Sequence, residues 1–274
     1  MIDYAARWME TPSPESQCVF SPGILQGQVA IITGGGSGIG FSTAREMIRL
    51  GARVALCGRT AAKLDAARAQ LGGSDVVFTA TCDIREPAQV EEFVRGTLAA
   101  FGRIDILVNN AALFADLVKK PFWEIPAAEW DKVMAVNLKG PFLCSKAVYP
   151  QMKKQGKGKI INVASGAFYK GLPHFLHYVV SKGGNVAITR SLAREVGDAG
   201  ITVNTIAPGY TETEFLKENP QDPPEVIRMA SAMRCIRRPE TPEDLTGAVV
   251  FLSSDDSDFI TGQTIIVDGG SAFS

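Results

Sequence analysis

Tyr178 and Lys182 stand four residues apart in a stretch with a helical pattern, so both side chains are expected on one face of a helix. A phenol beside an ammonium group suits proton exchange with an alcohol or a ketone, because the positive charge favours phenolate and lowers the pKa of the phenol. The spacing Tyr-x-x-x-Lys also arises often by chance. It indicates a catalytic pair only where other elements bring further polar groups to the same place.

Ser165 is the first of these groups. It follows a run rich in β-branched residues at 159–163 and precedes Tyr178 by 13 residues. Ligands of parallel sheets bind beyond the carboxyl ends of the strands, so a serine placed there can converge with Tyr178. The sequence therefore predicts one site that contains both hydroxyl groups.

A glycine cluster marks a second kind of site. Five of the 27 glycines lie between Gly34 and Gly40, directly after the first strand pattern, in the register T-G-x-x-x-G-x-G. This is neither G-x-G-x-x-G nor the Gly-Lys-Ser/Thr loop that binds nucleoside triphosphates. The cluster alone fits an ordinary turn equally well. Between the first strand and a helix N-terminus, however, it predicts a dinucleotide phosphate site, because glycines let backbone amides approach an anion.

Arg59 bears on the choice of cofactor. NAD sites usually place an acidic residue about 20 residues after the glycine turn, at the end of the second strand. Here that strand ends in Arg59 and Thr60, and no carboxylate occurs before Asp65. A guanidinium there can bind a 2′-phosphate, which favours NADP(H) over NAD(H), unless Arg59 is only a solvated surface residue.

Strand patterns alternate with helical patterns along the chain. Short runs rich in Val and Ile predict strands at 29–33, 53–56, 76–81, 104–109, 159–163, 202–207 and 264–267. Helical patterns lie near 40–50, 61–71, 87–100, 126–152, 178–198 and 242–252, and Pro87 and Pro242 suit first helical turns. This alternation predicts an α/β fold: a Rossmann-type, doubly wound parallel sheet of about seven strands with helices on both faces.

The rhythm is continuous, which predicts a single domain over 25–274, preceded by an N-terminal arm at 1–24. The 30-residue connection 210–239 is longer than ordinary loops and carries scattered apolar residues. It is interpreted as a substrate lid, although a helical hairpin packed on the core explains the same pattern.

Composition narrows the classes of function. The chain has 274 residues, 28 basic against 29 acidic side chains and a net charge of −1, which argues against nucleic acid or a membrane surface as a partner. No stretch has the 18 or more apolar residues of a membrane span. Five scattered cysteines favour reduced thiols in a cytoplasmic protein, and two histidines give no basis for a metal site.

The ordered motifs resemble the short-chain dehydrogenase/reductase family over 26–270, and the resemblance implies an NAD(P)-dependent enzyme that acts on CH–OH groups. The matching pieces are residues 33–40, Asp83, 109–112, Asn137, Ser165, Tyr178, Lys182, Pro208, Gly209, 261–263 and 267–270. One departure is Ala112, where the family usually has glycine. The extra methyl group is expected to tighten the floor of the cofactor site.

The resemblance also implies residue roles. Tyr178 is then the general acid/base, Lys182 tunes it and holds the nicotinamide ribose, and Ser165 orients the substrate oxygen. Asn137 belongs to a proton relay. Asp83 contacts the adenine, whereas Pro208, Gly209 and Thr213 lie along the nicotinamide. The full implied cofactor set is Gly34, Gly36, Ser37, Gly38, Ile39, Gly40, Arg59, Asp83, Asn110, Ala111, Tyr178, Lys182, Pro208, Gly209, Thr211 and Thr213.

Pro141 gives the relay a physical basis. Proline has no N–H, so in a helix the carbonyl of Asn137, four residues earlier, loses its partner, and Gly140 loosens the same turn. That carbonyl is expected to bind water near Lys182. A kink without any role is the alternative.

The substrate is less constrained. Leu113, Phe114, Phe168, Tyr169 and Phe175 lie on segments that resemble the family's pocket walls and suggest an apolar or aromatic ketone, or else they are core or interface residues. His177 is expected to be a structural or a surface residue. Two other functions stay open: reduction of an enoyl thioester, suggested by the likeness of 21–29 to peroxisomal trans-2-enoyl-CoA reductases, and NADP binding without catalysis. Members of the family usually assemble as dimers or tetramers, so the resemblance implies a homodimer or homotetramer.

Overall fold

All seven predicted strands form in the computed structural model, which describes residues 20–114, 116–214, 216 and 223–273. The strands are β1 (Val29–Thr33), β2 (Arg53–Gly58), β3 (Val77–Thr81), β4 (Ile106–Asn109), β5 (Gly158–Val163), β6 (Ile201–Pro208) and β7 (Thr264–Val267). They form one sheet in the order β3-β2-β1-β4-β5-β6-β7, and every neighbouring pair is parallel. The predicted Rossmann-type sheet is confirmed.

The helices connect these strands close to where the sequence patterns place them. They are α1 (Gly38–Arg49), α2 (Ala61–Gln70), α3 (Pro87–Phe101), α4 (Ala127–Met134), α5 (Gly140–Gln155), α6 (Gly166–Lys170), α7 (Leu176–Val196), α8 (Pro224–Ala232) and α9 (Glu243–Ser253). Pro87 takes the first position of α3, and Pro242 stands one residue before α9. None of the described helices has both the length and the apolar character needed to cross a bilayer.

The prediction of one helix over 126–152 is wrong in one respect. A π-helical turn, Ala135–Lys139, separates α4 from α5. Pro141 lacks the N–H that would bond to the carbonyl four residues back, so the regular helix cannot continue unchanged through this point.

Helices cover both faces of the sheet and bury two apolar layers. On one face, residues of α1, α2 and α9 pack on the central strands; they include Ala44, Met47, Leu64, Leu245 and Val249. On the other face, residues of α3, α5 and α7 do the same; they include Phe93, Val94, Val148, Met152 and Val196. This double burial explains why the strands read as continuous apolar runs.

The strand order places a crevice between β1 and β4. The chain leaves β1 towards β2 and β3 on one side and returns to β4 on the other side. In such sheets ligands bind beyond the carboxyl ends of the strands where the order reverses. The glycine loop follows β1 at this point, and Asn110 follows β4.

Two segments were predicted outside the regular alternation. Of the proposed arm at 1–24, residues 1–19 lie outside the described residues, whereas Phe20 and Ile24 are half-buried against the core. The proposed lid at 210–239 is described except for 215 and 217–222, and it contains α8. Its two ends meet, because Thr211 and Glu240 form a parallel bridge. The domain boundary and the lid stay predictions.

Candidate active site

A cleft of about 850 Å³ opens at the carboxyl edge of the sheet, over the crevice between β1 and β4. Most of the residues predicted for cofactor and catalysis line it. They are Gly34, Gly36, Ser37, Gly38, Ile39, Arg59, Asp83, Asn110, Ala111, Ser165, Tyr178, Lys182, Pro208, Gly209, Thr211 and Thr213. Gly40 and Asn137 do not line the cleft; both lie behind its wall.

The glycine loop forms a cradle at the N-terminus of α1. Gly34 and Gly38 have positive φ angles of 67° and 55°, which residues with a Cβ rarely adopt. The side chain of Ser37 caps no amide of α1, although Ser37 is the N-cap residue. Since the first amides of a helix lack partners within it, this end can bind an anion.

Asn110 ties the loop to β4. Its Nδ2 donates to the carbonyl oxygens of Thr33 and Gly34 at 2.9 and 3.2 Å. A Cβ on Gly40 would stand 2.6 Å from Asn110 Nδ2 and from the oxygen of Gly34. The structure thus gives Gly40, predicted as a cofactor residue, a packing role behind the loop.

Charged residues surround the end of the cleft beside β2. Arg59 is exposed there, and Lys63 packs its backbone against Gly36. Asp83 accepts three hydrogen bonds from the guanidinium of Arg85, and these bonds hold the pKa of the Asp83 carboxyl below its usual value. The sequence argument missed Lys63, although a second basic residue four positions after Arg59 was a usable signal.

Ser165, Tyr178 and Lys182 form one wall at the other end of the cleft, and each is less than a tenth exposed. Ser165 lies beside the phenol of Tyr178, and its Oγ accepts a hydrogen bond from the amide of Ala167, which caps α6. Lys182 Nζ donates to the carbonyl of Val163 at 2.7 Å and lies 5.7 Å from the centre of the Tyr178 ring.

The lowered pKa expected for Tyr178 is not found. Burial raises the pKa of Tyr178 to about 12, and the hydroxyl of Ser165 offsets this only in part. Burial also lowers the pKa of Lys182 to about 8, because the site gives the ammonium too little compensation for lost hydration. The loss of hydration is therefore the main cause of both pKa shifts.

Asn137 lies in the π-helical turn, where its side chain joins three segments. Its Oδ1 accepts from the amide of Leu113 at 2.7 Å, and its Nδ2 donates to Ser181 Oγ at 3.1 Å. Its carbonyl was expected to have no protein partner, but Asn185 Nδ2 donates to that oxygen at 2.9 Å. Asn185 was missed, although it stands seven residues after Tyr178 on the same helical face.

Aromatic rings surround the phenol of Tyr178. The ring centres of Phe175 and Phe114 lie 4.9 and 5.2 Å from it, and both residues line the cleft, as does Leu113. Phe168 and Tyr169 do not line it. Phe168 packs over Gly183, and Tyr169 packs against the cluster of Ala164, Val186 and Ala207.

Two residues beside the site behave differently. Ala112, where the family usually has glycine, lines the cleft with its methyl group exposed. His177 is fully buried and faces away from the cleft, with its Nε2 2.9 Å from Glu129 Oε1. Glu129 also pairs with Lys120, so this chain of contacts fixes the start of α7, and His177 is structural as expected.

The wall formed by residues 208–211 rests on charged residues that the sequence argument did not use. Gly209 has no room for a side chain, because a Cβ would lie 2.6 Å from Glu240 Oε2 and 2.9 Å from Asp268 Cβ. Glu240 and Arg234 are buried and 3.6 Å apart. Arg234 and Glu240 stand six residues apart in a loop, where no helix or strand periodicity relates them. No local sequence pattern therefore indicated this pair.

The cleft fits a dinucleotide. Its glycine cradle lies at a helix N-terminus at one end, and its polar wall of Ser165, Tyr178 and Lys182 lies at the other. Within the described part of the chain, no group of three or more His, Cys, Asp or Glu side chains is arranged to hold a metal ion.

Comparisons with known proteins agree with this geometry. A family model described as Enoyl-(Acyl carrier protein) reductase matches residues 34–272. Human dehydrogenase/reductase SDR family member 4 is 37% identical over 251 residues, covering 90% of this chain and 88% of that protein. The (2S)-[(R)-hydroxy(phenyl)methyl]succinyl-CoA dehydrogenase subunit BbsD of Thauera aromatica is 39% identical over 248 residues, covering 90% and 97%.

Among solved structures, the crystal structure of levodione reductase superimposes with a TM-score of 0.81 at 33% identity. The match covers 89% of this chain and 97% of that chain. Matches of this length, together with the parallel sheet and its cleft, identify the group to which the protein belongs. The chain is a member of the short-chain dehydrogenase/reductase family of NAD(P)-dependent oxidoreductases.

Proposed function

We propose that the protein interconverts a ketone or aldehyde and an alcohol, with NADP(H) as cofactor and Tyr178 as the general acid/base. One observation carries this proposal: the hydroxyls of Ser165 and Tyr178 lie beside Lys182 on one buried wall of the cleft. A carbonyl oxygen placed between two hydroxyl donors is polarised before any proton moves.

The proton chemistry follows from the environment of Tyr178. With a pKa of about 12, the phenol is fully protonated at neutral pH and can donate to the alkoxide that forms when a ketone is reduced. Ser165 supports the same oxygen through a hydrogen bond. The cofactor, when bound, supplies or accepts the hydride. Phe114 and Phe175, which pack on each other and on the phenol ring, shield it from water.

Lys182 and Asn137 complete the proposed machinery. Lys182 is anchored through Val163, and in this proposal it also binds the nicotinamide ribose. Asn137 stays a candidate for the proton relay, because a carbonyl oxygen has two lone pairs and Asn185 uses one of them.

The preference for NADP(H) rests on the charges beside β2. Arg59 is exposed at the cleft edge, Lys63 lies nearby, and no carboxylate follows β2 to bind a ribose 2′-hydroxyl. Asp83, which would contact the adenine, is already paired with Arg85. The other residues proposed to contact the cofactor also line the cleft. Those proposed to lie near the phosphates are Gly34, Gly36, Ser37, Gly38, Ile39 and Asn110.

The proposed substrate is apolar or aromatic. Leu113, Phe114 and Phe175 line the cleft beside Tyr178, and α8 adds Met229 and Ala230. The relative BbsD is named for a substrate that carries a phenyl group. A phenyl ketone therefore suits both the lining and this relative.

Enoyl-thioester reduction is the second candidate, and the description of the matching family model favours it. The paired hydroxyls of Ser165 and Tyr178 favour carbonyl chemistry instead, because they converge on a single oxygen. NADP binding without catalysis is the third candidate, and it conflicts with the complete Ser165, Tyr178 and Lys182 set.

We further propose a homodimer or homotetramer in the cytoplasm, built on α4, α5 and α7. Phe142, Leu176 and Val180 on α5 and α7 are 41–48% exposed, which suits burial against a second copy.

The test is a parallel rate screen with NADPH and NADH against an aryl ketone, an aliphatic ketone and crotonyl-CoA. The proposal expects the fastest turnover with the aryl ketone and NADPH. Faster turnover of crotonyl-CoA would favour the second candidate. Binding of NADPH without turnover of any carbonyl compound would favour the third.

A further inference from the structure

Four charged side chains meet behind the wall formed by residues 208–211. Arg234, Glu240 and Asp268 are buried, with 4, 5 and 2% of their surfaces exposed, and Lys170 is partly exposed at the cleft. We call these four residues the buried charge cluster. Its members come from three regions of the chain, namely α6, the connection after α8, and the segment after β7.

Two members hold the wall in place. Arg234 Nη2 donates to the carbonyl of Tyr210 at 2.7 Å and lies 3.6 Å from Glu240 Oε2. Glu240 Oε1 accepts from Thr211 Oγ1 at 2.6 Å. The pair therefore fixes the backbone of one wall residue and the side chain of the next.

The two carboxylate residues, Glu240 and Asp268, also pack closely behind the wall. Glu240 Oε2 lies 2.6 Å from the place that a Cβ of Gly209 would take, and Asp268 Cβ lies 2.9 Å from it. Within the described residues, neither Glu240 Oε2 nor Asp268 Oδ2 accepts a hydrogen bond. Because Gly209 has no side chain, the backbone of Gly209 is all that lies between Glu240 Oε2 and the cleft at this point.

The charges of the cluster balance. Two cations face two carboxylates, with Lys170 Nζ 3.9 Å from Asp268 Oδ2. Burial is the main cause that raises the pKa of Glu240 and lowers the pKa of Lys170. Solvent therefore screens the charge of Glu240 poorly and that of the partly exposed Lys170 more. Removal of one charge would leave the others without compensation.

We propose that the buried charge cluster positions residues 208–211 and sets the relative affinity of the cleft for oxidised and reduced cofactor. This inference rests on the proposed function, in which the nicotinamide lies along these residues. The oxidised nicotinamide ring carries a positive charge that the reduced ring lacks. A charge behind Gly209 therefore acts on one redox form and not on the other.

The test measures equilibrium Kd values for NADP⁺ and NADPH. Glu240→Gln removes a negative charge, so the ratio of Kd for NADP⁺ to Kd for NADPH rises by about three- to tenfold. Arg234→Met removes a positive charge, so the ratio falls by a similar factor. The double variant is neutral again, and its ratio returns towards that of the wild type.

Matched variants separate charge from structure. Glu225 and Arg228 form an exposed ion pair on α8, so Glu225→Gln and Arg228→Met make the same chemical changes where solvent screens them. Neither should move the ratio. Lys170→Met, at a partly exposed position that tolerates substitution more readily, should lower it as Arg234→Met does.

Adenosine 2′,5′-bisphosphate serves as a third probe, because it reaches only the adenosine end of the cleft. Its Kd should be unchanged in every variant. The inference would be overturned if the ratio of the two Kd values moved in the same direction in Glu240→Gln, Arg234→Met and Lys170→Met. An equal loss of affinity for all three probes would overturn it as well. A wild type that binds adenosine 2′,5′-bisphosphate but neither dinucleotide would overturn the proposed function as well.

Discussion

The two ends of the cleft treat charge in opposite ways. Beside β2, Arg59 is exposed, and Asp83 already has a partner in Arg85. Beside β5, Tyr178 and Lys182 are buried, and burial shifts the pKa of both towards the neutral form. A charge screened by solvent can select a ligand, although it contributes little binding energy. A change in the charge or the hydrogen bonds of a desolvated group has a large energetic cost. We therefore propose that the exposed end selects the cofactor and that the buried end transfers the proton.

Tyr178→Phe should have the largest effect. The substitution keeps the ring contacts with Phe114 and Phe175 and removes only the proton donor, so kcat should fall by about 10³-fold. The Kd for NADPH, measured by fluorescence titration, should stay at the wild-type value. A variant that keeps a tenth of the wild-type kcat would remove Tyr178 from the mechanism.

The pH dependence should differ between the two directions. Alcohol oxidation needs phenolate, and with a pKa of about 12 for Tyr178 the phenolate fraction rises about tenfold per pH unit between pH 6 and 8. Log kcat/KM for oxidation should rise with a slope of about 1 in this range, whereas ketone reduction should stay level because it uses the phenol.

Lys182 adds a second feature to these profiles. Its positive charge is complete well below its pKa of about 8 and is lost as the pH rises through that value. The charge favours phenolate, so the oxidation profile should flatten above about pH 8. Reduction that slows steadily from pH 6 to 8 would contradict the assignment of a protonated Tyr178.

Ser165→Ala should lower kcat by about 100-fold, because a hydroxyl that supports the developing alkoxide is lost. It should also cost about 1 kcal/mol of stability, since Ser165 caps α6 through the amide of Ala167. Ser165→Thr keeps the oxygen and should recover most of both losses. A kcat for Ser165→Ala within threefold of the wild type would show that the hydroxyl does not support the reacting oxygen.

Gly40 links the two ends, because it packs the glycine loop against Asn110. Gly40→Ala should destabilise the protein by about 2 kcal/mol, since the added Cβ meets Asn110 Nδ2 and the Gly34 oxygen at 2.6 Å. Gly247→Ala in α9 meets nothing within 4 Å and should stabilise by about 1 kcal/mol. Urea unfolding of both variants measures the contrast, and equal stabilities would refute the packing role.

Arg59→Ala should have the smallest effect. KM for NADPH should rise about tenfold and KM for NADH should not change, because only NADPH carries the 2′-phosphate. The difference should shrink between low and high salt, since Arg59 is exposed. Arg45→Ala is the control, because Arg45 is equally a surface arginine but pairs with Glu243 outside the cleft. An equal rise in KM for both cofactors would disprove phosphate recognition.

The sequence predicted the parts of the molecule that depend on local pattern. Strand runs, the glycine loop and the spacing of Tyr178 and Lys182 each follow from a periodicity or a turn, and β1 to β7 form close to their expected bounds. The order of these motifs also identified the family correctly.

The predictions that failed concern residues whose surroundings are set by the tertiary structure. Nothing near Asn137 in sequence shows that Asn185 would donate to its carbonyl, and only the completed core shows that burial raises the pKa of Tyr178. Phe168 and Phe175 look alike in sequence, yet one packs on α7 and the other lines the cleft. The pair of Arg234 and Glu240 could be predicted only with knowledge of where the loop folds back.

The most direct test of the division between the two ends is a double-mutant cycle. Arg59→Ala, Tyr178→Phe and the double variant are compared by kcat/KM for one ketone with NADPH and with NADH. The account predicts additivity: Arg59→Ala changes the ratio of NADPH to NADH by the same factor in both backgrounds, and Tyr178→Phe lowers both rates equally. A ratio that changes with Tyr178→Phe alone would contradict the account, because the two ends would then act as one site.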